Sequence, residues 1–387
     1  MMKSTPLYLD VHILQNVPPS NINRDDTGSP KTARFGGVVR ARVSSQAWKK
    51  VTRDAFASVL DTSELGQRTT HAVDMIAESI MDKDSDIAFD EARALASSAL
   101  EAAGIKVSKP DNKHDYPFTG YLLFVGARQA DGLASLAIEA KEKGSAVEKK
   151  AAKAILDIKQ NPALNAIDVA LFGRMVADAP DLNVDASVQV AHAIGIDRAE
   201  TEFDYFTAVD DRAPEDNAGA TMIGTNEFTS STFYRYATVD VSHLYENLGS
   251  SLAAQKAAEA FLSAFITSMP TGKQNTFANR TLPSVVVAQF RETQPVSLVN
   301  AFEVPVSAKK GESQIRLACK ALVKQEKLLD EAFGVDPIQT YVVCACDDAD
   351  VFSEIAPEGT IGLKELVKRA GEKIGSFLDE REGSSDR

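Results

Sequence analysis

The sequence predicts an α+β fold: a ferredoxin-like (RRM-like) core that carries a helical insertion and a protruding hairpin. Outside two stretches of different composition, hydrophobic periodicity gives the order strand, helix, strand, helix, strand, strand, helix, strand, which contains the split βαβ pattern. Residues 61–185 are rich in Ala, Lys, Glu and Asp with helical periodicity, which predicts the insertion. Residues 200–226 are acidic and contain turn residues, which predicts the hairpin.

The core begins with a strand and a helix joined by a long loop. Apolar side chains alternate from Leu7 to Ile13, which predicts a strand over residues 7–14. The loop that follows is rich in Pro, Asn, Asp and Gly and is long enough to carry function. Ser44 or Ser45 is a suitable N-cap for the next helix, which we expect to run to about Leu60.

The remaining core elements are predicted from the same periodicities. Strands are expected over residues 231–241, 284–290, 296–304 and 339–346, and helices over residues 252–269 and 313–333. The second and third of these strands are expected to pair with each other. From residue 371 to residue 387 the sequence is polar, which predicts a flexible tail.

Positive charge is concentrated in one segment of an acidic chain. The formal net charge of the 387 residues is −13. From Lys31 to Arg53 there are nonetheless seven basic residues and no Asp or Glu. Affinity for phosphate depends on where charges lie rather than on their sum, so this segment predicts a contact with nucleic acid. The alternative is an ordinary solvated face, although such faces usually mix both signs.

Motifs for catalysis or for binding a cofactor or metal are missing from the sequence. It has no P-loop, no G-x-S-x-G turn and no H-E-x-x-H helix, and its five histidines share no spacing. Cys344 and Cys346 alternate along a predicted strand, but two thiols without a second pair make a poor zinc site. We therefore expect a protein that is not an enzyme and that needs no cofactor or metal.

The composition favours a cytoplasmic protein without a membrane partner. No run approaches the ~18 apolar residues of a membrane helix. The N-terminus lacks the apolar stretch and cleavage site of a signal peptide. The three cysteines are too few for a disulfide framework, which is typical of a reducing compartment.

Four segments resemble the CasC family, the crRNA-binding backbone subunit of Cascade, the type I-E CRISPR surveillance complex. They occur in the family's order and are NINRDDTGSPKTARFGGVVRARVSSQAWKK (21–50), IDVALFGRM (167–175), FDYFTAVDD (203–211) and IGTNEFTSSTFYRYA (223–237). Residues 61–160 contain no motif that matches, and the resemblance is thin beyond about residue 275.

The resemblance implies a protein shaped like a right hand. Its parts would be a ferredoxin-like palm (1–60, 186–199 and 227–370), helical fingers (61–185), a thumb hairpin (200–226) and the flexible tail (371–387). Copies would stack along the guide RNA and present it for pairing with target DNA. The implied partners are crRNA, the target DNA hybridised to it, neighbouring copies of this chain and the other Cascade subunits.

The candidate site residues fall into two groups. Cations and neutral donors in and after the long loop are suited to holding RNA phosphates, and they are Arg24, Lys31, Arg42, Ser44, Gln46, Lys49, Lys50 and Arg53. The resemblance implies that thumb residues displace a base at intervals, and the candidates are Met175, Tyr205, Phe206, Thr207 and Ile223. The alternative for the apolar members of the second group is local packing of the hairpin.

Two other functions remain open on the sequence. A ferredoxin-like endoribonuclease that processes the guide would need a positioned base, for which His12 and His192 are the candidates. A general single-strand binding protein would also use a basic segment and aromatic residues. Such a protein would bind any single strand without help from other subunits.

Overall fold

A computed structural model of the chain describes residues 5–208 and 222–385. Within these ranges the chain forms a mixed α/β structure around an antiparallel sheet of nine strands. The strands are β1 (Tyr8–Ser20), β2 (Thr32–Phe35), β3 (Val38–Val43), β4 (Gly66–Thr69), β5 (Val107–Ser108), β6 (Phe118–Thr119), β7 (Leu123–Gly126), β8 (Val188–Val190), β9 (Ala193–Gly195), β10 (Glu202–Ala208), β11 (Met222–Asp240), β12 (Val285–Arg291) and β13 (Gln339–Cys344). The helices are α1 (Ser45–Phe56), α2 (Ala72–Lys83), α3 (Phe89–Ala102), α4 (Ala127–Glu142), α5 (Lys149–Leu156), α6 (Ile167–Phe172), α7 (Val241–Leu248), α8 (Ser251–Thr267), α9 (Gln274–Phe277), α10 (Gln314–Phe333) and α11 (Leu363–Ser385).

Strand β1 lies inside the large sheet, between β12 and β11. The strand order is β13-β12-β1-β11-β9-β3-β2, and β8 and β10 also pair with β11. Leu9 of β1 lies opposite Val239 of β11 on one side and Phe290 of β12 on the other. Helices cover both faces, because Leu9 and Ile13 pack in the core with α1, α8 and α11, whereas Leu14 packs in the core with α10.

Residues 61–185 contain the helices α2 to α6 and a hydrophobic core of their own. Alanines line the contacts between these helices, for example Ala96 of α3 and Ala134 of α4, and their small side chains allow close helix packing. The segment also has two antiparallel pairs, β4 with β7 and β5 with β6, which the sequence did not predict. In the described ranges, no helix is both long and apolar enough to cross a bilayer.

The predicted strand over residues 296–304 is wrong. This segment contains a short 3-10 helix, Val299–Phe302, and it does not pair with β12. Its buried apolar residues Val296, Leu298 and Phe302 also fit the alternation of a strand, which is why the sequence pattern was misleading here. The Leu298 N–H donates to the Tyr234 hydroxyl at 2.9 Å, which fixes the segment against the sheet.

The predicted flexible tail is also wrong over residues 371–385, which continue helix α11. Ile374 and Leu378 are fully buried in the core that contains α8. A Cβ added at Gly371 would meet the Glu259 carboxylate of α8 at 1.7 Å, so this glycine lets the two helices approach closely. The polar composition hid a narrow apolar stripe that is sufficient to hold the helix in place.

Candidate nucleic-acid interface

The start of helix α1 is fixed to the long loop at residues 21–31. Ser44 is the N-cap, and its hydroxyl accepts a hydrogen bond from the Ala47 N–H at 3.3 Å. The Ser44 N–H donates to Asn23 Oδ1 at 2.9 Å, and the Lys31 N–H donates to the Asn23 carbonyl at 2.9 Å. The loop and the helix therefore form one rigid unit.

The loop itself is ordered by side-chain hydrogen bonds. The Asp25 carboxylate accepts from the N–H groups of Thr27 (2.9 Å) and Ser29 (3.0 Å) and from the Thr27 hydroxyl (2.7 Å). These bonds, led by that of the Thr27 side chain, lower the pKa of Asp25. Arg24 lies next to this turn with an exposed side chain and pairs through its backbone with Pro30.

Three cations from different elements lie around His192, and we call them the cationic cluster. They are Lys31 just before β2, Arg42 on β3 and Lys49 on α1, and each lowers the pKa of His192. Within the described ranges none of the three forms an ion pair with a carboxylate. Burial lowers the pKa of Lys49. Concentrated positive charge without local carboxylates is what an anion site requires.

The other predicted RNA-binding residues of α1 differ in their surroundings. Gln46 is exposed on the first turn of the helix. Lys50 forms an exposed ion pair with Asp54 at 2.6 Å, so its charge is already partnered. The Arg53 guanidinium lies 5.2 Å from the centre of the Phe124 ring on β7. Lys49 thus belongs to the cationic cluster, whereas Arg53 faces the insertion.

One cation of the basic segment is structural. Arg40 is fully buried, and its guanidinium donates to the carbonyls of Gly195 (3.1 Å), Phe302 (2.9 Å) and Glu303 (3.0 Å). It ties β3 to β9 and to the short 3-10 helix. At least one cation of the basic segment therefore stabilises the fold, and a count of the segment's charges overstates the number available to a ligand.

The predicted thumb begins as a two-stranded antiparallel ladder between β10 and β11. Tyr205 is 63% exposed, and alternation places Phe206 on the opposite face. Phe206 pairs with Gly224, and a Cβ added there would lie 2.4 Å from the Phe206 ring, so the half-buried ring covers the glycine. Thr207 is exposed and pairs with Ile223 through the backbone. The side chain of Ile223 and residues 209–221 lie outside the described part of the chain.

Met175 follows helix α6 and is 79% exposed. The preceding residue, Arg174, is buried and donates to the carbonyls of Leu182 and Leu156 and to Gln129 Oε1. Burial lowers the pKa of Arg174 to about 10. An apolar side chain is thus presented to solvent from a firmly held backbone, an arrangement suited to contact with a partner.

Comparisons with known proteins agree with this arrangement. The family profile of CT1975-like proteins matches residues 9–369. The chain belongs to the CT1975-like family. This membership confirms the resemblance to CasC proteins. A comparison with curated protein sequences gave no match.

Two solved structures are similar to this CT1975-like protein over nearly its whole length. One is a chain of a CRISPR RNA-guided surveillance complex in a pre-nicking state, with 32% identity and a TM-score of 0.79, covering 94% of this chain and 100% of that one. The second is a chain of a CRISPR RNA-guided surveillance complex with 27% identity and a TM-score of 0.71, covering 94% of this chain and 99% of that one.

The two histidines considered as nuclease bases differ in this CT1975-like chain. His12 is fully buried in β1, where Nδ1 contacts the Tyr234 hydroxyl at 2.9 Å, and burial lowers its pKa to about 3. His192 is exposed, and its Nδ1 lies 3.2 Å from the Ser45 nitrogen and 3.3 Å from Arg42 Nη1. His12 is therefore out of reach of RNA, whereas His192 lies within the cationic cluster.

A buried carboxylate holds together two segments of the insertion of this CT1975-like chain. Asp168 of α6 is 1% exposed and accepts from the N–H groups of Gly66 (2.8 Å) and Val169 (3.1 Å). Burial raises its pKa to about 6, and the charge of Arg53 opposes that shift. Arg53 of α1 therefore interacts with the insertion through the Phe124 ring and through the charge of Asp168.

Sequence reasoning missed several residues that shape this interface. Asn21 and Lys273 brace the base of the thumb, since Asn21 Nδ2 donates to the Glu227 carbonyl at 3.0 Å and Lys273 Nζ donates to Asn226 Oδ1 at 2.8 Å. Phe203, on the same face of β10 as Tyr205, is 67% exposed. The alternation of β10 could have indicated that Phe203 is exposed beside Tyr205. No local pattern could have indicated the contacts of Asn21 and Lys273, because their partners are distant in sequence.

Proposed function

We propose that this chain is a non-catalytic guide-RNA-binding backbone subunit of a type I-E CRISPR surveillance complex. Copies oligomerise along crRNA, hold its phosphates and leave its bases free to pair with target DNA in antiviral defence. The observation that carries the proposal is the cationic cluster of Lys31, Arg42 and Lys49 at the start of α1. Membership of the CT1975-like family and similarity to chains of RNA-guided surveillance complexes support it.

The arrangement of the sheet supports a ferredoxin-like palm. Strand β1 lies between β11 and β12 and is antiparallel to both. Helix α1 follows β1, α8 connects β11 to β12, and the short strands β8 and β9 lie on the far side of β11. This gives the strand order of a split βαβ unit repeated once, which is common in folds that bind RNA.

A role without catalysis is supported by the state of the two histidines. A general base needs an accessible nitrogen with a free lone pair. His12 is buried, and in His192 the Nδ1 lone pair is already occupied by hydrogen bonds. The three free cysteines fit a reducing cytoplasm, where such a complex would meet its guide RNA.

The exposed apolar residues of the thumb and of the segment after α6 support contact with RNA bases and with a neighbouring copy. Met175, Phe203 and Tyr205 are all more than half exposed. Solvent exposure of so many large apolar groups is unfavourable in a monomer and is typical of an assembly surface. In the proposal, Phe206 and Thr207 act with them to displace a base at regular intervals.

The proposal is tested with the Lys31→Ala, Lys49→Ala double variant of the full chain, which removes two members of the cationic cluster. Binding of labelled single-stranded RNAs of several sequences should weaken uniformly, because phosphate contacts carry no sequence information. Each lost phosphate contact should flatten the salt dependence of the affinity by about 0.7 in slope. Lys50→Ala is the matched control, because Lys50 is already paired with Asp54 and its loss should have a smaller effect.

Unequal losses on different RNA sequences would mean that these residues read bases, and the scaffold role would then be rejected. The same titrations with single-stranded DNA test for a general single-strand binding protein, which would bind RNA and DNA equally well. Incubation of the assembled complex with a repeat RNA tests for catalysis. At saturating RNA, His12→Ala and His192→Ala should leave the rate of any guide processing by the folded complex unchanged.

A further inference from the structure

His192 occupies the turn between β8 and β9, at the start of helix α1. Its Nδ1 lies 3.2 Å from the Ser45 backbone nitrogen and 3.3 Å from Arg42 Nη1. Both partners carry hydrogens and neither has a lone pair to offer, so both donate and Nδ1 accepts. The proton of the neutral imidazole is therefore on Nε2.

The surroundings also favour the neutral ring. Burial lowers the pKa of His192, and the charges of Arg42, Lys31 and Lys49 lower it further. No carboxylate contributes to the shift. The outer nitrogen is thus a fixed N–H donor surrounded by three cations, and within the described residues that N–H has no hydrogen-bond acceptor.

We propose that His192 is a direct ligand of the RNA backbone: its Nε2–H, on a neutral imidazole, donates to a phosphate oxygen held by the cationic cluster. The inference rests on the proposed function, since it assigns a further residue to the same site. Nδ1 meanwhile accepts from Arg42 and from the Ser45 N–H in the first turn of α1. His192 thus adds a residue from the turn between β8 and β9 to a site whose other members all come from the basic segment at residues 31–53.

A neutral donor differs from a lysine in two measurable ways. It displaces no counterions from RNA, so its loss should lower the affinity without changing the salt slope. Another neutral donor can also replace it, so an amide nitrogen placed near the position of Nε2 should preserve the affinity. Lys49→Ala, by contrast, should flatten the slope by about 0.7.

Two substitutions separate the two nitrogens of His192. Asn places an oxygen near the position of Nδ1, so His192→Asn keeps the acceptor for Ser45 and Arg42 and loses the outer donor. Gln places an amide nitrogen near the position of Nε2, so His192→Gln keeps the donor and loses the acceptor. His192→Ala loses both. Because the side chain is exposed, all three variants should unfold at the temperature of the parent.

Fluorescence anisotropy with a labelled single-stranded RNA gives the affinity of each full-length variant across a series of salt concentrations. We expect His192→Asn and His192→Ala to bind about tenfold more weakly than the parent with the parent's salt slope, and His192→Gln to stay near the parent. Parental affinity in His192→Asn, or a salt slope that His192→Ala flattens as Lys49→Ala does, would overturn the inference. A parent that fails to bind RNA would instead overturn the proposed function.

Discussion

Asn21 joins the loop at residues 21–31 to strand β11: its Nδ2 donates to the Gly28 carbonyl and to the Glu227 carbonyl, each at 3.0 Å. The side chain is 2% exposed, so water cannot replace these bonds. The loop that carries Arg24 and Lys31 and the base of strand β11 are therefore fixed to each other by one amide. This contact sets the position of the thumb relative to the cationic cluster.

Asn21→Asp should destabilise the protein by about 2–4 kcal/mol, because a buried carboxylate would face two carbonyls without a donor between them. Denaturant unfolding measures the loss. Hydrogen exchange should also show faster exchange in residues 222–230 of the variant. The control is Asn112→Asp in an exposed loop, for which we expect no change. Unaltered unfolding and exchange in Asn21→Asp would show that the contact does not hold the thumb.

Gly224→Ala should displace the Phe206 ring, because the added Cβ would lie 2.4 Å from it. Unfolding should change by less than about 0.5 kcal/mol, since the hairpin contributes little to the core. In the assembled complex, 2-aminopurine placed in the guide RNA reports base displacement, and we expect displacement to be about tenfold less favourable. Thr225→Ala, on the opposite face of β11, is the control. Displacement equal to that of the parent in Gly224→Ala would exclude Phe206 from this role.

Asp168 should make the free energy of unfolding decrease as the pH rises. Burial raises its pKa from 3.8 to about 6, so between these values the folded state holds more protons than the unfolded state. The free energy of unfolding should therefore fall by up to about 3 kcal/mol from this group as the pH rises through that window. Asp168→Asn, which keeps an oxygen for the Gly66 N–H, should remove that part of the slope.

The measurement for Asp168 is the difference in unfolding free energy between parent and variant at pH values from 4.5 to 7.5. Glu326, whose pKa burial raises to about 7, contributes a slope of the same sign to both proteins and cancels in the difference. Asp115→Asn, on an exposed residue of the insertion, is the control. A difference that stays constant, or that changes with the opposite sign, would contradict the assignment of a raised pKa to Asp168.

The thumb tip can be removed without changing the strand register. Ala208 pairs directly with Met222, so an Asn-Gly turn can replace residues 209–221 and close a two-residue hairpin. The palm should stay folded and keep the unfolding temperature of the parent, because β11 pairs with β1 only from Thr229 onward, outside the replaced residues. Assembly and target-DNA binding should collapse, while RNA binding through the cationic cluster persists. A variant that aggregates, or that unfolds at a temperature far below that of the parent, would show that the palm depends on the tip for its stability.

Much of the core followed from local periodicity. The alternation from Leu7 to Ile13 predicted β1, and the pair Ser44 and Ser45 predicted the start of α1, where Ser44 is the N-cap. The same alternation failed to predict that Asp10 and His12, on the other face of β1, are also fully buried. Their burial depends on helix α10, which packs on that face, and local sequence carries no information about such a distant partner.

The candidate site could be predicted only in part for the same reason. Lys31, Arg42 and Lys49 stood out because they lie in one basic segment, and they form the cationic cluster. His192 is 147 positions from Ser45, and only the sheet brings them together. Neighbouring Lys49 and Lys50 look equivalent in sequence, yet the helix directs one to the cluster and the other to Asp54.

The central claim is that several copies of this chain line one guide RNA through the cationic cluster. Electron microscopy of particles purified with this chain after co-expression with a guide RNA and the other subunits tests it most directly. The account predicts a row of identical subunits along a single RNA, with the start of each helix α1 against the RNA backbone. A particle without RNA, or with the RNA on another surface of the subunit, would contradict it.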